Sequence, residues 1–200
     1  GRNREALGAL IELLAGDGYD TLAVGPGTAP ELVAEAEPDL VLVEAQHPHD
    51  DSFELRAHLK ETEQTADVPV IFLTSRDDEA RLAALDSGDE LIVRPVEPSE
   101  LLARVERQVT VSKVRTALRR SEAEFRSGLS EHPNHPTLLV NLGVTLRMQE
   151  RGEAAVRGFE EALRHPGARR AAHYNLAQIA MQAGDLDGAE AHLREVLTLE

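Results

Sequence analysis

Few side chains in this 200-residue chain offer chemistry beyond simple charge. There is no cysteine, which removes thiolate nucleophiles, disulfides and thiolate metal sites. The densest ligand-type cluster is His47-Pro48-His49-Asp50-Asp51, two histidines with acids, which has the look of a zinc site. Ser52 stands where a further histidine would strengthen a hydrolase reading of His47, His49 and Asp51, so a solvated loop is the expected role. Gly25-Pro26-Gly27 imitates a phosphate-binding loop but lacks its third glycine and its lysine. Ser75 and Ser87 have no nucleophile elbow around them. Asp77-Asp78-Glu79 would attract a cation, yet such a run more often offers acids to the dipole of a helix N-terminus. The residues lead to no enzyme, no cofactor and no metal.

The elements that must position these groups alternate in kind over the first half. Leu7, Leu10, Ile11 and Leu14 recur at helical spacing, and Gly16 and Gly18 end that helix. Residues 19–24 read as a short strand, and Pro26-Gly27 as a turn with Thr28 capping a helix to about residue 37. Residues 39–44, 68–74 and 91–93 are apolar runs of the kind buried on both faces of a sheet. Helices are expected between and after them, over residues 52–61, 78–87 and 98–109. Alternation of this kind gives a parallel sheet with helices on both sides.

Several residues at the ends of those runs resemble a known family. Glu44 closes one strand and is followed four residues later by Pro48; Thr74-Ser75 closes the next; Gly88-Asp89 precedes the last; Arg94-Pro95 follows it. In order and spacing, about the first hundred residues resemble a bacterial response-regulator receiver domain. The resemblance implies a flavodoxin-like sheet, a phosphoryl-accepting aspartate after the third strand, two acids holding magnesium, and a hydroxyl and a lysine on the phosphoryl oxygens. It also implies an aromatic switch residue and a cis-proline.

The chain departs from that pattern where the chemistry lies. Glu44 takes the acceptor position, Arg94 the lysine position and Leu91 the switch position, while Thr74 is kept and Pro95 is the cis-proline candidate. One residue is missing between Gly88 and Asp89. Glutamate carries its carboxylate one methylene farther out, and a misplacement of about 1 Å can cost roughly a hundredfold in rate. Arginine keeps its charge and offers a fork of donors, so Arg94 is expected to hold Glu44 bidentately, with Thr74 as the alternative partner of Glu44. The sequence starts in the loop before the first helix, so the family's central first strand and its acid pair are expected from preceding residues, or the strand from another molecule.

The second half has a period of 34 residues. Asn141 and Asn175, Leu142 and Leu176, Ala155 and Ala189, Phe159 and Leu193, and Ala162 and Val196 fall in register. These residues, with Gly143 and Ala177, resemble the tetratricopeptide repeat. Ala155 and Ala189 let paired helices approach, and Phe159 and Leu193 are expected to fill the space between them. Phe125 and Pro133 fall in phase with a preceding half repeat. By this resemblance Asn141, Tyr174 and Asn175 are candidates to line a partner groove. His132, His135 and His165 flank prolines in turns and are expected to be exposed. The β-branched run at residues 109–111 is expected to break the bridging helix.

The expected architecture is α/β followed by all-α: a receiver-like parallel sheet lacking its first strand over 1–110, a linker helix and half repeat over 111–132, and two repeats over 133–200. The net charge of −15 lies entirely on the first 110 residues, and the rest is neutral. That field argues against nucleic acid and anionic membrane and for basic protein surfaces. No stretch approaches the roughly 18 apolar residues of a membrane span. The sequence reading is thus a cytoplasmic, non-catalytic signalling adaptor: a phosphorylation-independent pseudo-receiver joined to a repeat module. Protein partners are expected on the groove and receiver face, with a homodimer possible. Its alternative is a phosphorylation-controlled response regulator.

Overall fold

The computed structural model describes residues 2–25, 29–45, 51–61, 65–74 and 89–199. The chain divides into two compact units, Gly1–Val114 and Arg115–Glu200. The first holds α1 (Arg2–Gly16), α2 (Ala29–Ala36), β1 (Val41–Ala45), α3 (Asp51–Glu61), β2 (Val70–Thr74) and β3 (Glu90–Val93). A long helix, α4 (Pro98–Glu131), contains the division between units. The second unit continues with α5 (Pro136–Met148), α6 (Gly152–Ala162), α7 (Arg169–Ala183) and α8 (Leu186–Thr198).

The three strands form one parallel sheet in the order β1-β2-β3. Alternation along the strands sends side chains to two separate cores. Ala45, Val70 and Phe72 pack with Val33, Leu55 and Leu59 on one side. Ile71, Leu73 and Ile92 pack with Leu14, Leu101, Val105 and Val109 on the other. β2 is buried along its whole length, as a central strand covered on both faces must be.

Two sequence expectations change here. Residues 19–24 are not a strand: they run irregularly, with Leu22 67% exposed. A strand is stabilised by the neighbour it pairs with, and β1, at the sheet edge, pairs only with β2 among the described residues. Nor does the helix break at residues 109–111, since α4 runs unbroken through them. β-branched residues carry only a weak helix penalty, and Val105, Val109 and Ser112 bury one face of this helix.

Local signals set the helix ends. Gly18, at φ +89°, closes α1: its N–H donates to the Ala15 carbonyl and that of Tyr19 to the Leu14 carbonyl. Leu14 and Tyr19 then pack in the same core, as this kind of helix stop favours. Gly184, at φ +79°, ends α7 in the same way, and the Asp185 side chain at once caps α8 by accepting from Gly188 N–H.

In the second unit consecutive helices pack as pairs, α5 with α6 and α7 with α8. Phe159, Ala155, Ala162 and Ala172 are fully buried at its centre. Leu193 does not repeat the role of Phe159 one period earlier: it is 36% exposed, alongside exposed Leu186 and Leu197. Phe159 is covered from both sides, by α5 and by the next pair, whereas among the described residues α8 packs chiefly on α7.

Candidate functional site

The carboxyl ends of the parallel strands bring together three of the residues singled out in the sequence. Glu44, Thr74 and Arg94 come from β1, the end of β2 and the residue after β3. In register, Ala45 lies beside Thr74 and Thr74 beside Val93. Strand ends of this kind are where open parallel sheets bind ligands.

Arg94 Nη1 donates to Glu44 Oε1 at 2.8 Å. The two strands they flank are separated by β2, a gap of about 10 Å at roughly 4.8 Å per strand, so only two long side chains can meet across it. The expected fork is not formed: the pair makes one hydrogen bond, and Thr74 is not its partner. Both side chains are about one third exposed, which limits the pair to about 0–1 kcal/mol of stability.

Thr74 is almost completely buried, and its Oγ1 has no hydrogen-bond partner among the described residues. Its carbonyl accepts from Arg94 N–H at 2.8 Å, which ties the Arg94 backbone to the end of β2. The Arg94–Pro95 peptide is cis. Leu91 lies elsewhere: it is opposite Phe72 in register and packs with the core of Val33, Leu55 and Phe72.

Magnesium, which the resemblance implies, does not fit the described residues by themselves. Glu44 is bonded to Arg94, and no group of three or more His, Asp or Glu side chains is arranged to hold a metal ion among them. His47, Pro48, His49 and Asp50 lie outside the described residues, and so does the side chain of Asp51. Pro26, Gly27, Thr28, Ser75, residues 77–79, Ser87 and Gly88 also lie outside them.

Two electrostatic clusters join residues that carry no sequence motif. Glu90 accepts from Arg104, Arg107 and Gln108 at 2.8, 2.7 and 2.6 Å. Burial pushes its carboxyl up, but these three donors outweigh burial and hold it below the usual carboxylate range. Glu122 behaves alike: burial is outweighed by donors from Arg126 and Arg151. Arg56 and Asp89 form a buried ion pair. Helical i, i+4 spacing signals some of these contacts, but those between elements have no sequence signature.

The repeat candidates fall in unlike places. Tyr174 is 49% exposed and Asn141 is exposed, whereas Asn175 is buried and its amide donates to the Ala171 carbonyl at 2.9 Å. Of the turn histidines, His132 and His135 are exposed, and His135 Nδ1 accepts weakly from Leu138 N–H. His165 is half-buried, contrary to expectation, because the turn that holds it folds against the core at Ala168. No described helix is long and apolar enough to cross a membrane.

No family model matches the chain. It is 35% identical over 124 residues to the DNA-binding response regulator MtrA of Mycolicibacterium paratuberculosis, covering 60% of this chain and 50% of that one. It is 33% identical over 105 residues to the phosphate regulon transcriptional regulatory protein PhoB of Pseudomonas aeruginosa, covering 51% and 44%. The chain therefore spans about half the length of the curated relatives it matches. A solved response regulator from Desulfuromonas acetoxidans is 33% identical, with a TM-score of 0.46 over 54% of this chain and 89% of that one. The chain thus carries a response-regulator receiver-like domain.

These relatives correct one expectation. The charge argument excludes nucleic acid as a partner, yet the relatives are named as DNA-binding and transcriptional regulators. The physical reason is one of range. Exposed charges are screened within about 8–10 Å, so the acidity of one unit governs only contacts made by its own surface. Phosphate contacts need only local basic groups.

Proposed function

We propose that this chain is a response regulator of a two-component-like pathway, controlled by phosphorylation at the strand ends of its receiver-like unit. The observation that carries the reading is its identity of 33–35% to regulators of that class. The buried, unpartnered Oγ1 of Thr74 supports it, since an unsatisfied hydroxyl at a sheet's ligand-binding end is suited to a phosphoryl oxygen. In this reading Glu44 stands at the acceptor position, Arg94 supplies positive charge, and the acids for a divalent ion come from outside the described residues. The protein acts by binding rather than as an enzyme. The helical unit, with its 34-residue period, serves as a tetratricopeptide-type module that passes the signal to a protein partner. The DNA-directed output named for the relatives comes to this chain as part of the same proposal.

A second reading, a phosphorylation-independent pseudo-receiver acting as an adaptor, is favoured by the Glu44–Arg94 ion pair. A carboxylate already neutralised by a permanent cation holds one state without a phosphoryl group. One experiment separates the two. Incubation with acetyl phosphate and Mg²⁺, followed by intact and peptide mass spectrometry, gives an adduct of roughly 80 Da, one phosphoryl group, on Glu44 in the first reading. Absence of the adduct, with partner binding unchanged in Glu44→Gln, overturns the first reading in favour of the second.

A further inference from the structure

His173 of α7 and His192 of α8 meet with their Nδ1 atoms 3.0 Å apart. The ring centroids are 5.3 Å apart, close to the most that this contact allows, so each nitrogen points at the other. That is the geometry of one N–H···N hydrogen bond, in which one ring donates and the other accepts on its lone pair. A proton added to the outer nitrogen of the donor ring leaves the bond in place. A proton added to the acceptor ring destroys it, because two N–H groups on two cations then face each other. Both residues are half-buried, and among the described residues α8 packs chiefly on α7.

We propose that this hydrogen bond is a proton-operated latch between α7 and α8, closed while at most one ring is charged and opened in mildly acidic solution by a second proton. Among the described residues the charged groups that act on His173 are His192 and Glu195 of α8 and Arg169 of α7; α6, on which α7 also packs, contributes none of them. Burial first, then His192, hold His173 below its ordinary value of 6.5, against the pull of Glu195. His173 is thus the ring that charges last, which makes it the acceptor. With the latch open, both rings are solvated and charge near the ordinary histidine value of about 6.5. The open form therefore binds more protons. The closed form is favoured above that value and is lost as pH falls below it, through the lowered value of His173. The Glu90 and Glu122 carboxyls, held below 4.5, stay ionised through this window. The latch belongs to the second unit and does not depend on the phosphoryl chemistry proposed for the first.

The test is amide hydrogen exchange of the full chain, read by mass spectrometry on peptides from α8 and corrected for the intrinsic exchange rate. Between about pH 7.5 and about pH 5.5, one excluded proton should lower the protection of α8 by roughly tenfold. His173→Gln and His192→Gln, each checked for native circular dichroism, should each abolish that fall, because neither leaves two rings to charge. His135→Gln, at an exposed turn, should keep it. Nitrogen-15 spectra of the wild-type histidine rings give a second readout that needs no variant. At about pH 6 the His173 ring should still be neutral, with its Nδ1 accepting the shared proton. Protection of α8 that does not change with pH in the wild-type chain overturns the proposal. So does a fall that persists in both glutamine variants, and so do wild-type rings that titrate independently near the ordinary histidine value.

Discussion

Gly143→Ala and Gly158→Ala, on the facing helices α5 and α6, are expected to move stability in opposite directions. A methyl group at Gly143 would lie 2.6 Å from Phe159 Cε1 and 2.9 Å from Cδ1 and Cζ. The Phe159 ring is fully buried, so it cannot yield without disturbing the centre of the helical unit. Overpacking of this kind costs about 1–3 kcal/mol, against a gain of about 0.5–1 kcal/mol from replacing glycine in a helix. The net expectation for Gly143→Ala is a loss of about 1–2 kcal/mol. A methyl at Gly158 would instead meet Gly143 Cα at 3.6 Å, an ordinary contact, so only the helix gain of about 0.5–1 kcal/mol remains. In a unit of this size each kcal/mol shifts the melting temperature by roughly 4–8 °C. Thermal and urea melts of the full chain, followed by far-ultraviolet circular dichroism, would measure both. A Gly143→Ala chain as stable as wild type would refute the close crossing at Phe159, and so would a Gly158→Ala chain destabilised to the same degree.

Other expectations concern the receiver-like unit. The Glu90 carboxyl is held below its ordinary value of 4.5, so its stabilisation is present above that value and is lost as pH falls through the lowered one. Glu90→Gln should therefore cost about 1–2 kcal/mol at neutral pH and flatten the acid limb of a stability–pH curve; an unchanged limb would remove Glu90 from the account. Glu44→Gln should change stability by less than about 1 kcal/mol in urea titration, because its ion pair is part-exposed. Thr74→Val, which removes a buried hydroxyl with no partner, should be neutral or stabilising by up to about 1 kcal/mol. A large loss there would mean that the hydroxyl is structurally bonded rather than kept for a ligand.

Much of this protein follows from local rules that a sequence exposes directly. The apolar runs before Glu44, Thr74 and Arg94 became the three parallel strands because strands covered on both faces need uninterrupted apolar side chains. Gly18 and Gly184 stopped helices because φ near +80–90° suits a residue without Cβ. The 34-residue spacing marked Phe159 and the alanines around it, because close helix pairs need small residues at fixed intervals. What the tertiary structure alone decided lies between elements. Whether residues 19–24 form a strand depends on a neighbour, not on their own composition. Whether Glu44 meets Arg94 or Thr74 depends on strand order and the side to which each side chain points. Leu193 differs from Phe159, and Asn175 from Asn141, because equal positions in a repeat have unequal neighbours. His173 and His192 lie 19 residues apart with no motif joining them, and only the pairing of two helices places their nitrogens 3.0 Å apart.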